Sequence, residues 1–281
     1  MEVKQEEVKK VVREGYAKVA KGSGSCCGPT ASSSCCGAAP TAKDVSRRVG
    51  YSDEEMAAAP EGANLGLGCG NPIALASLKS GETVLDLGSG AGFDCFLAAK
   101  KVGSKGRVIG VDMTPEMLDK ARENARKAGA ANVEFRLGEI ENLPVADSSV
   151  DAVISNCVIN LAPDKARVFA EAFRALKPGG RLMVSDLVLT AQLPKVVQDS
   201  VAAYVGCLAG ASLKADYLRA IGQAGFKKVE VASEEAFPVE LMQNDPTAQA
   251  VVKDLRVSRE EVERIAGTVV SVKVSARKPG L

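Results

Sequence analysis

Short apolar runs alternate with amphipathic segments over most of the chain. Seven runs rich in Val, Ile and Leu have the length of strands: 82–87, 107–112, 133–137, 150–155, 181–189, 227–231 and 268–274. Apolar residues recur at helical spacing in six segments: 3–20, 93–102, 114–128, 164–176, 194–206 and 213–224. Strands that alternate with helices in this way predict an α/β fold with a doubly wound, mostly parallel, seven-stranded sheet.

Two of these helices have clear end signals. Thr114 is placed to cap the helix that follows the second strand, Pro115 occupies its first position, and the helix ends before Gly129. The helix from Asp164 is closed by the turn sequence Lys-Pro-Gly-Gly at 177–180, after which the fifth strand begins.

Composition divides the chain into four predicted parts. Residues 1–20 form an amphipathic helix, and residues 21–70 form a flexible segment rich in Gly, Ser and Cys, with a further loop around Cys69. Residues 71–190 hold the repeated strand–helix units that bind a cofactor. Residues 191–281 form a C-terminal cap region and the final strands.

Charge and composition exclude several classes of function. The chain has 36 Lys and Arg against 35 Asp and Glu, a net charge of +1, and only 4% aromatic residues with no Trp. This balance argues against a nucleic-acid or membrane-surface partner. The charged N-terminus lacks the apolar core of a signal peptide, and no apolar run reaches membrane-spanning length. We therefore expect a cytoplasmic protein, in which eight cysteines serve as reactive or ligating groups rather than as a static disulfide framework.

The chain contains no histidine. This excludes a Ser-His-Asp triad, histidine acid–base catalysis and histidine-ligated metal. The reaction therefore either needs no strong general base or uses a group other than histidine in that role.

A glycine cluster joins the first strand to the next helix. The glycines in Gly88-Ser89-Gly90-Ala91-Gly92 permit a tight turn and the close approach of a ligand, with spacing G-x-G-x-G rather than the dinucleotide spacing G-x-G-x-x-G. Asp86 precedes the cluster. Asp112 ends the second strand, where its carboxylate can accept hydrogen bonds from both hydroxyls of a ribose. Carboxylates suit a cationic sulfonium ligand better than a pyrophosphate.

The cluster resembles motif I of class I S-adenosylmethionine-dependent methyltransferases, and Gly110–Met113 resembles their motif II. The resemblance implies a Rossmann-like methyltransferase fold with S-adenosylmethionine as methyl donor. It also implies that Glu139 and Ile140, in the run 138–141, flank the adenine and that Asn156 lies near the donor, although Glu139 and Glu141 have the alternative interpretation of solvated loop charges. The expected donor-binding residues are Tyr16, Asp86, Gly88, Ser89, Gly90, Gly92, Asp112, Met113, Glu139, Ile140 and Asn156.

Three cysteines come from separate predicted loops. In a doubly wound sheet the ends of the first and fourth strands flank the ligand crevice, so Cys157, after the fourth strand, is expected to face the donor. Cys69 lies between glycines before the first strand, and Cys207 follows a predicted helix. Three thiols brought together would bind a soft, thiophilic atom. Cys95 lies on a predicted helix, where we expect simple packing.

The run Ser155–Lys165, the Gly-Cys-Gly loop at Cys69, and Cys207 with Leu208 and Gly210 resemble arsenite methyltransferases. The similarity extends from about Tyr16 to about Gly225. It implies that Cys157 and Cys207 hold arsenic(III), that Cys69 takes part in binding or redox chemistry, and that Tyr16 lies over the methyl donor. It also implies that the thiols give two electrons to arsenic and form a disulfide, which a thioredoxin-like protein or glutathione then reduces.

Two vicinal cysteine pairs depart from the family pattern, which has one further N-terminal cysteine. The residues are Cys26, Cys27, Cys35 and Cys36. Three interpretations remain open: a redox relay, a second capture site for arsenic or a metal, or a zinc clip.

The leading hypothesis is an enzyme, expected to be monomeric, that methylates thiolate-bound arsenic(III). The arsenic lone pair attacks the sulfonium methyl by an in-line displacement and carries no proton, so no base is required. The alternatives are a methyltransferase for a carbon or oxygen acceptor, a non-enzymatic thiol sensor or sequestration protein for arsenic, and a dinucleotide oxidoreductase.

Overall fold

The computed structural model describes residues 2–22, 41–72, 77–198, 204, 207–236 and 264–280. The vicinal pairs at 26–27 and 35–36 lie outside the described residues. Eight helices are described: α1 Glu2–Ala20, α2 Ala42–Arg48, α3 Asp53–Ala58, α4 Phe93–Val102, α5 Pro115–Ala128, α6 Lys165–Ala175, α7 Lys195–Gln198 and α8 Lys214–Gln223. Seven strands are described: β1 Thr83–Leu87, β2 Arg107–Asp112, β3 Val133–Leu137, β4 Val150–Asn156, β5 Leu176–Leu189, β6 Lys227–Ala236 and β7 Val269–Arg277.

These strands form one sheet in the order β3-β2-β1-β4-β5-β7-β6. Strands β1 to β5 pair in parallel, whereas β7 runs antiparallel to both β5 and β6. The strand order reverses between β1 and β4, which places a crevice at the carboxyl ends of these two strands. The predicted doubly wound, mostly parallel sheet is confirmed.

Two packed layers of helices cover the sheet. On one face, Leu85 and Val153 pack with Phe169 of α6 and Tyr217 of α8. On the other face, the sheet packs against α4 and α5 through residues such as Phe96 and Leu118. The helices that follow β1 and β4 therefore lie on opposite faces.

Two short helices, α2 and α3, lie in a region that was predicted to be flexible. Each begins with a capping box. The side chain of Thr41 accepts a hydrogen bond from the backbone N–H of Asp44, and the side chain of Ser52 accepts one from the backbone N–H of Glu55. In both cases the acidic side chain accepts the N–H of the capping residue in return. The spacing of a hydroxyl residue and an acidic residue three positions later was the available signal.

Several predicted details of the helices and strands differ from the structure, including β6, which extends to Ala236, and β7, which extends to Arg277. Helix α6 ends at Ala175, and β5 begins at Leu176 because Leu176 is extended and pairs with Val150 ahead of an irregularity in the ladder. The helix predicted over 194–206 is described over Lys195–Gln198, and most of the remainder lies outside the described residues. The side chain of Thr114 makes no capping hydrogen bond; its N–H instead donates to Asp112 Oδ1 at 2.8 Å.

Within the described residues, no helix combines the length and the apolar character needed to cross a membrane.

A partly buried ion pair connects the start of β1 to β5 across β4. The guanidinium of Arg181 donates to both carboxylate oxygens of Glu82, at 2.8 and 2.6 Å. Burial acts to raise the pKa of Glu82, but the hydrogen bonds from Arg181 and from the Lys79 N–H outweigh it, so the pKa is lowered.

We predict that Glu82→Gln lowers the free energy of unfolding by about 1–2 kcal/mol at pH 7, because it weakens a charge-assisted bidentate pair. A lowered folded-state pKa stabilises the fold above the unfolded-state pKa, and this contribution disappears as pH falls through the folded-state pKa. The difference between the two proteins should therefore shrink below about pH 4. Urea unfolding at several pH values measures this difference in the free energy of unfolding. The control is Glu61→Gln, a substitution at an exposed position. A difference that persists at low pH would contradict this assignment.

Candidate functional site

An open cleft lies at the carboxyl ends of β1, β2 and β4. Most of the predicted donor-binding residues line it. The residues that do so are Tyr16, Asp86, Gly88, Ser89, Gly90, Asp112, Met113, Ile140 and Asn156. Gly92 and Glu139 are absent from this lining.

The glycine loop shapes the floor of the cleft. Gly88, Gly90 and Gly92 all have positive φ values, of 68°, 50° and 93°, which favour glycine. A Cβ on Gly92 would lie 2.7 Å from the ring of Phe135, so this glycine serves packing and the start of α4. A Cβ on Gly90 would meet no protein atom within 4 Å. Gly90 is therefore the glycine beside which a ligand has room.

Three carboxylates surround the same end of the cleft: Asp86 and Asp94, which are buried, and Asp112, which is partly buried. Burial raises the pKa of all three, and that of Asp94 reaches about 6. Asp112 accepts hydrogen bonds from the backbone N–H groups of Gly90 and Thr114. These bonds lower its pKa and so partly offset the effect of burial. Such a cluster favours a ligand that brings positive charge, since a cation relieves the repulsion among buried carboxylates.

Helix α1 closes one side of the cleft. Val12 is buried, and Lys9 Nζ lies 2.6 Å from Glu139 Oε2 and 3.4 Å from Glu141 Oε1. Lys9, Ile140 and Glu141 line the cleft, whereas Glu139 does not. Glu141 is therefore the acidic side chain of this run that borders the cleft.

The structure brings the three separated cysteines together beside one end of the cleft, where Cys157 lines the cleft and Cys69 and Cys207 pack next to it. Cys69 and Cys157 form a disulfide with a Cα–Cα distance of 5.7 Å. The thiol of Cys207 donates a hydrogen bond to the carbonyl oxygen of Cys157 at 2.9 Å. All three side chains are buried in an apolar cluster with residues such as Leu187 and Leu208. Three thiols were predicted here, whereas the structure holds one disulfide and the thiol of Cys207.

The backbone at two of these cysteines is unusual. Cys157 and Cys207 have φ values of 59° and 63°, in the left-handed region that non-glycine residues rarely adopt. Cys157 is held there by its N–H, which donates to Ser185 O at 2.8 Å. A Cβ on Gly210 would overlap the carbonyl of Asn160, so this glycine lets the Cys207 segment lie against the loop after β4. Strain of this kind is frequent at functional sites.

Two charged residues beside the cysteines were not singled out from the sequence. The ligand atoms of Asp186, Cys69 and Cys157 all lie within 4.8 Å of one another. Burial raises the pKa of Asp186 to about 7, against the effect of a hydrogen bond from Tyr217 Oη at 2.8 Å. Burial lowers the pKa of Lys165, and the charges of Asp186 and Cys207 oppose this shift. Asp186 is the only acidic residue in the strand Leu176–Leu189 and is followed by three apolar residues, which was the available signal.

Cys95 is fully buried on α4, as expected for a packing residue. Its thiol also donates to Asp86 Oδ2 at 3.1 Å, a contact that the sequence does not reveal.

The fold and this cleft are those of a methyltransferase domain, and a family model described as a methyltransferase domain matches residues 78–225. The arsenite methyltransferase of Halobacterium salinarum is 54% identical over 82% of this chain and 60% of that protein. The human arsenite methyltransferase is 44% identical over 46% of this chain and 36% of that protein. This chain therefore spans about one third to three fifths of these curated relatives.

A solved structure supports the same family and covers a larger share of both chains than these relatives do. The arsenic(III) S-adenosylmethionine methyltransferase of Chlamydomonas reinhardtii superposes with a TM-score of 0.60 at 35% identity, over 84% of this chain and 74% of that one. The chain belongs to the arsenite methyltransferase family.

We predict that the folded, non-reduced protein contains the Cys69–Cys157 disulfide. Alkylation in denaturant, followed by digestion and mass spectrometry, should recover the two cysteine peptides as one cross-linked species. Cys95 and Cys207 should carry the alkyl group, because neither forms this bridge. Recovery of alkylated Cys69 and Cys157 from protein purified without reductant would contradict the prediction.

Proposed function

We propose that this chain transfers a methyl group from S-adenosylmethionine to arsenic(III) bound by the thiolates of Cys69, Cys157 and Cys207. The observation that carries the proposal is the meeting of three cysteines from distant loops at the end of a ligand cleft. Thiolates select soft centres, and arsenic(III) is one. The arsenite and arsenic(III) methyltransferases named among the relatives support the same substrate.

The residues of the cleft fit S-adenosylmethionine. When bound, this donor supplies an electrophilic methyl group on a sulfonium centre. Asp86 and Asp94 would face its positive charges, and Asp112 would accept hydrogen bonds from the ribose. The glycine loop at Gly88–Gly90 leaves room for its close approach. Tyr16, Met113, Ile140 and Asn156 would complete the walls, with Glu141 in the place first assigned to Glu139.

The protein's contribution is mainly orientation and the exclusion of water. The left-handed backbone at Cys157 and Cys207 fixes the directions of two sulfur atoms, and the apolar cluster around all three cysteines keeps water away from arsenic–sulfur bonds. The arsenic lone pair carries no proton, so a site without histidine is sufficient.

The redox state of the cysteines fits the electron balance of the reaction. Methylation oxidises arsenic(III) to arsenic(V), and two thiolates can return two electrons to arsenic by forming a disulfide. Cys69 and Cys157 form such a disulfide in the structure. A thioredoxin-like protein, or two molecules of glutathione, would then reduce the bridge and restore the arsenic site. This reductant is part of the proposal, as are the monomeric state and the cytoplasmic location inferred from the sequence.

We predict that Cys157→Ser and Cys207→Ser each lower arsenite methylation by at least about 100-fold, because a serine oxygen replaces a soft ligand. The assay contains arsenite, labelled S-adenosylmethionine and a thiol reductant, and separates products by methylation state. S-adenosylhomocysteine binding should remain. Cys95→Ser, which keeps a hydrogen-bond donor for Asp86, should stay within about twofold of wild type. Arsenite methylation by Cys157→Ser at the wild-type rate would refute the proposal, and tight arsenite binding with no methyl transfer would favour a sequestration protein.

A second prediction concerns the donor. Asp112→Asn should raise the Kd of S-adenosylhomocysteine at least about tenfold, because the amide nitrogen cannot accept the hydrogen bonds that the carboxylate accepts. Isothermal titration calorimetry measures the change, with Asp119→Asn on the exposed side of α5 as the matched control. Equal affinity in the two variants would exclude Asp112 from the donor site.

A further inference from the structure

We propose that Tyr51 is a positioning residue that acts through Asn156 to hold the loop of Cys69, residues 66–70, against the donor cleft. Tyr51 lies in the connection between α2 and α3, outside the parts of the chain that the cofactor motifs identify. The inference deepens the proposed function and rests on it, since it concerns how one of the proposed arsenic ligands is placed.

The hydroxyl of Tyr51 makes a buried contact with the donor cleft. Tyr51 Oη donates to Asp94 Oδ1 at 2.6 Å, and the ring packs edge-on against Phe93 with centroids 4.9 Å apart. Burial and the charge of Asp94 raise the pKa of Tyr51 well above its ordinary value, so the hydroxyl keeps its proton and remains a donor. Asp94 lines the cleft, next to the glycine loop.

The amide of Asn156 connects this pair to the cysteine loop. Its Nδ2 lies within hydrogen-bond distance of Tyr51 Oη at 2.8 Å, Asp94 Oδ2 at 3.1 Å and Gly70 O at 2.8 Å. Its Oδ1 accepts the N–H of Cys69 at 3.1 Å. The Asn156 side chain therefore joins the cleft wall to the backbone of Cys69 and of Gly70. Asn156 also directly precedes Cys157 in the sequence.

The loop has little freedom once this bridge is made. A Cβ on Gly68 would lie 2.6 Å from Asn156 Nδ2, and a Cβ on Gly70 would overlap Ser185 Oγ. The carbonyl of Cys69 accepts a hydrogen bond from Ser271 Oγ on β7 at 2.7 Å. The glycines thus allow the loop to approach Asn156, and Tyr51 and Asp94 hold the Asn156 amide in the orientation that the loop requires.

Removing the Tyr51 hydroxyl should lower the effective concentration of Cys69 at Cys157. The measurable reaction is protein dithiol plus oxidised glutathione giving protein disulfide plus two reduced glutathione. We expect Tyr51→Phe to lower its equilibrium constant roughly tenfold, the effect of losing one hydrogen bond to a buried charged group. Asn156→Asp should lower it further, because it removes the amide donor and adds a carboxylate beside Asp94.

The experiment equilibrates the full chain in glutathione buffers and quantifies the 69–157 cross-linked peptide by mass spectrometry. Asn132→Ala is the matched control. Asn132 also bridges two backbone carbonyls, those of Ala99 and Gly103, but lies just before β3, at the amino-terminal end of that strand and away from the cleft. The control should be less stable to urea and keep the wild-type redox constant. Tyr51→Phe should also lower kcat for arsenite methylation, with less than about a threefold change in the Kd of S-adenosylhomocysteine.

An unchanged redox constant in both Tyr51→Phe and Asn156→Asp would overturn the inference. An equal loss in Asn132→Ala would also overturn it, since the effect would then reflect general stability. This result can be told apart from a failure of the proposed function. If the wild-type protein methylates no arsenite but Tyr51→Phe still shifts the redox constant, the positioning role of Tyr51 holds and only the proposed substrate is wrong.

Discussion

Helices α4 and α6, which follow the neighbouring strands β1 and β4, pack on opposite faces of the sheet, so neither covers the space between the ends of these strands. In the described residues, the candidate site is arranged around that gap. The glycine loop leaves β1, Cys157 follows β4, and Asp112 ends β2 beside them. The loops of Cys69 and Cys207 then fold over the gap and give it one apolar end.

The two ends of the cleft differ in electrostatic character, and each suits a different reactant. Burial raises the pKa values of Asp86, Asp94 and Asp112 at one end, which favours a ligand with positive charge. At the other end, sulfur atoms lie in a mostly apolar cluster beside the buried carboxyl group of Asp186. This setting favours a neutral, thiophilic substrate such as arsenous acid. A sulfonium donor and bound arsenic would therefore meet where the polar end gives way to the apolar end.

The periodicity of the sequence was sufficient to predict the sheet, because local alternation of apolar runs and helices determines it. The pairing of Cys69 with Cys157 was not predictable, since 88 residues separate them and only the folded chain brings them together. Tyr51 had no local signal for the same reason: its contacts with Asp94 and Asn156 span 43 and 105 residues. The helices α2 and α3 were detectable from their capping boxes but are too short for periodicity to reveal. The donor and arsenic roles of individual residues, and the four-part division of the chain, stay predictions.

The left-handed backbone at Cys157 and Cys207 limits how this site can be transplanted. Three cysteines introduced at equivalent positions of another methyltransferase would direct their sulfur atoms elsewhere if the host backbone were extended there, because the Cα–Cβ direction follows φ and ψ. The host would also need small residues where Gly68, Gly70 and Gly210 allow the loops to meet. Engineering arsenic specificity into a related scaffold is thus a problem of loop backbone design, in which the choice of ligands is the easier part.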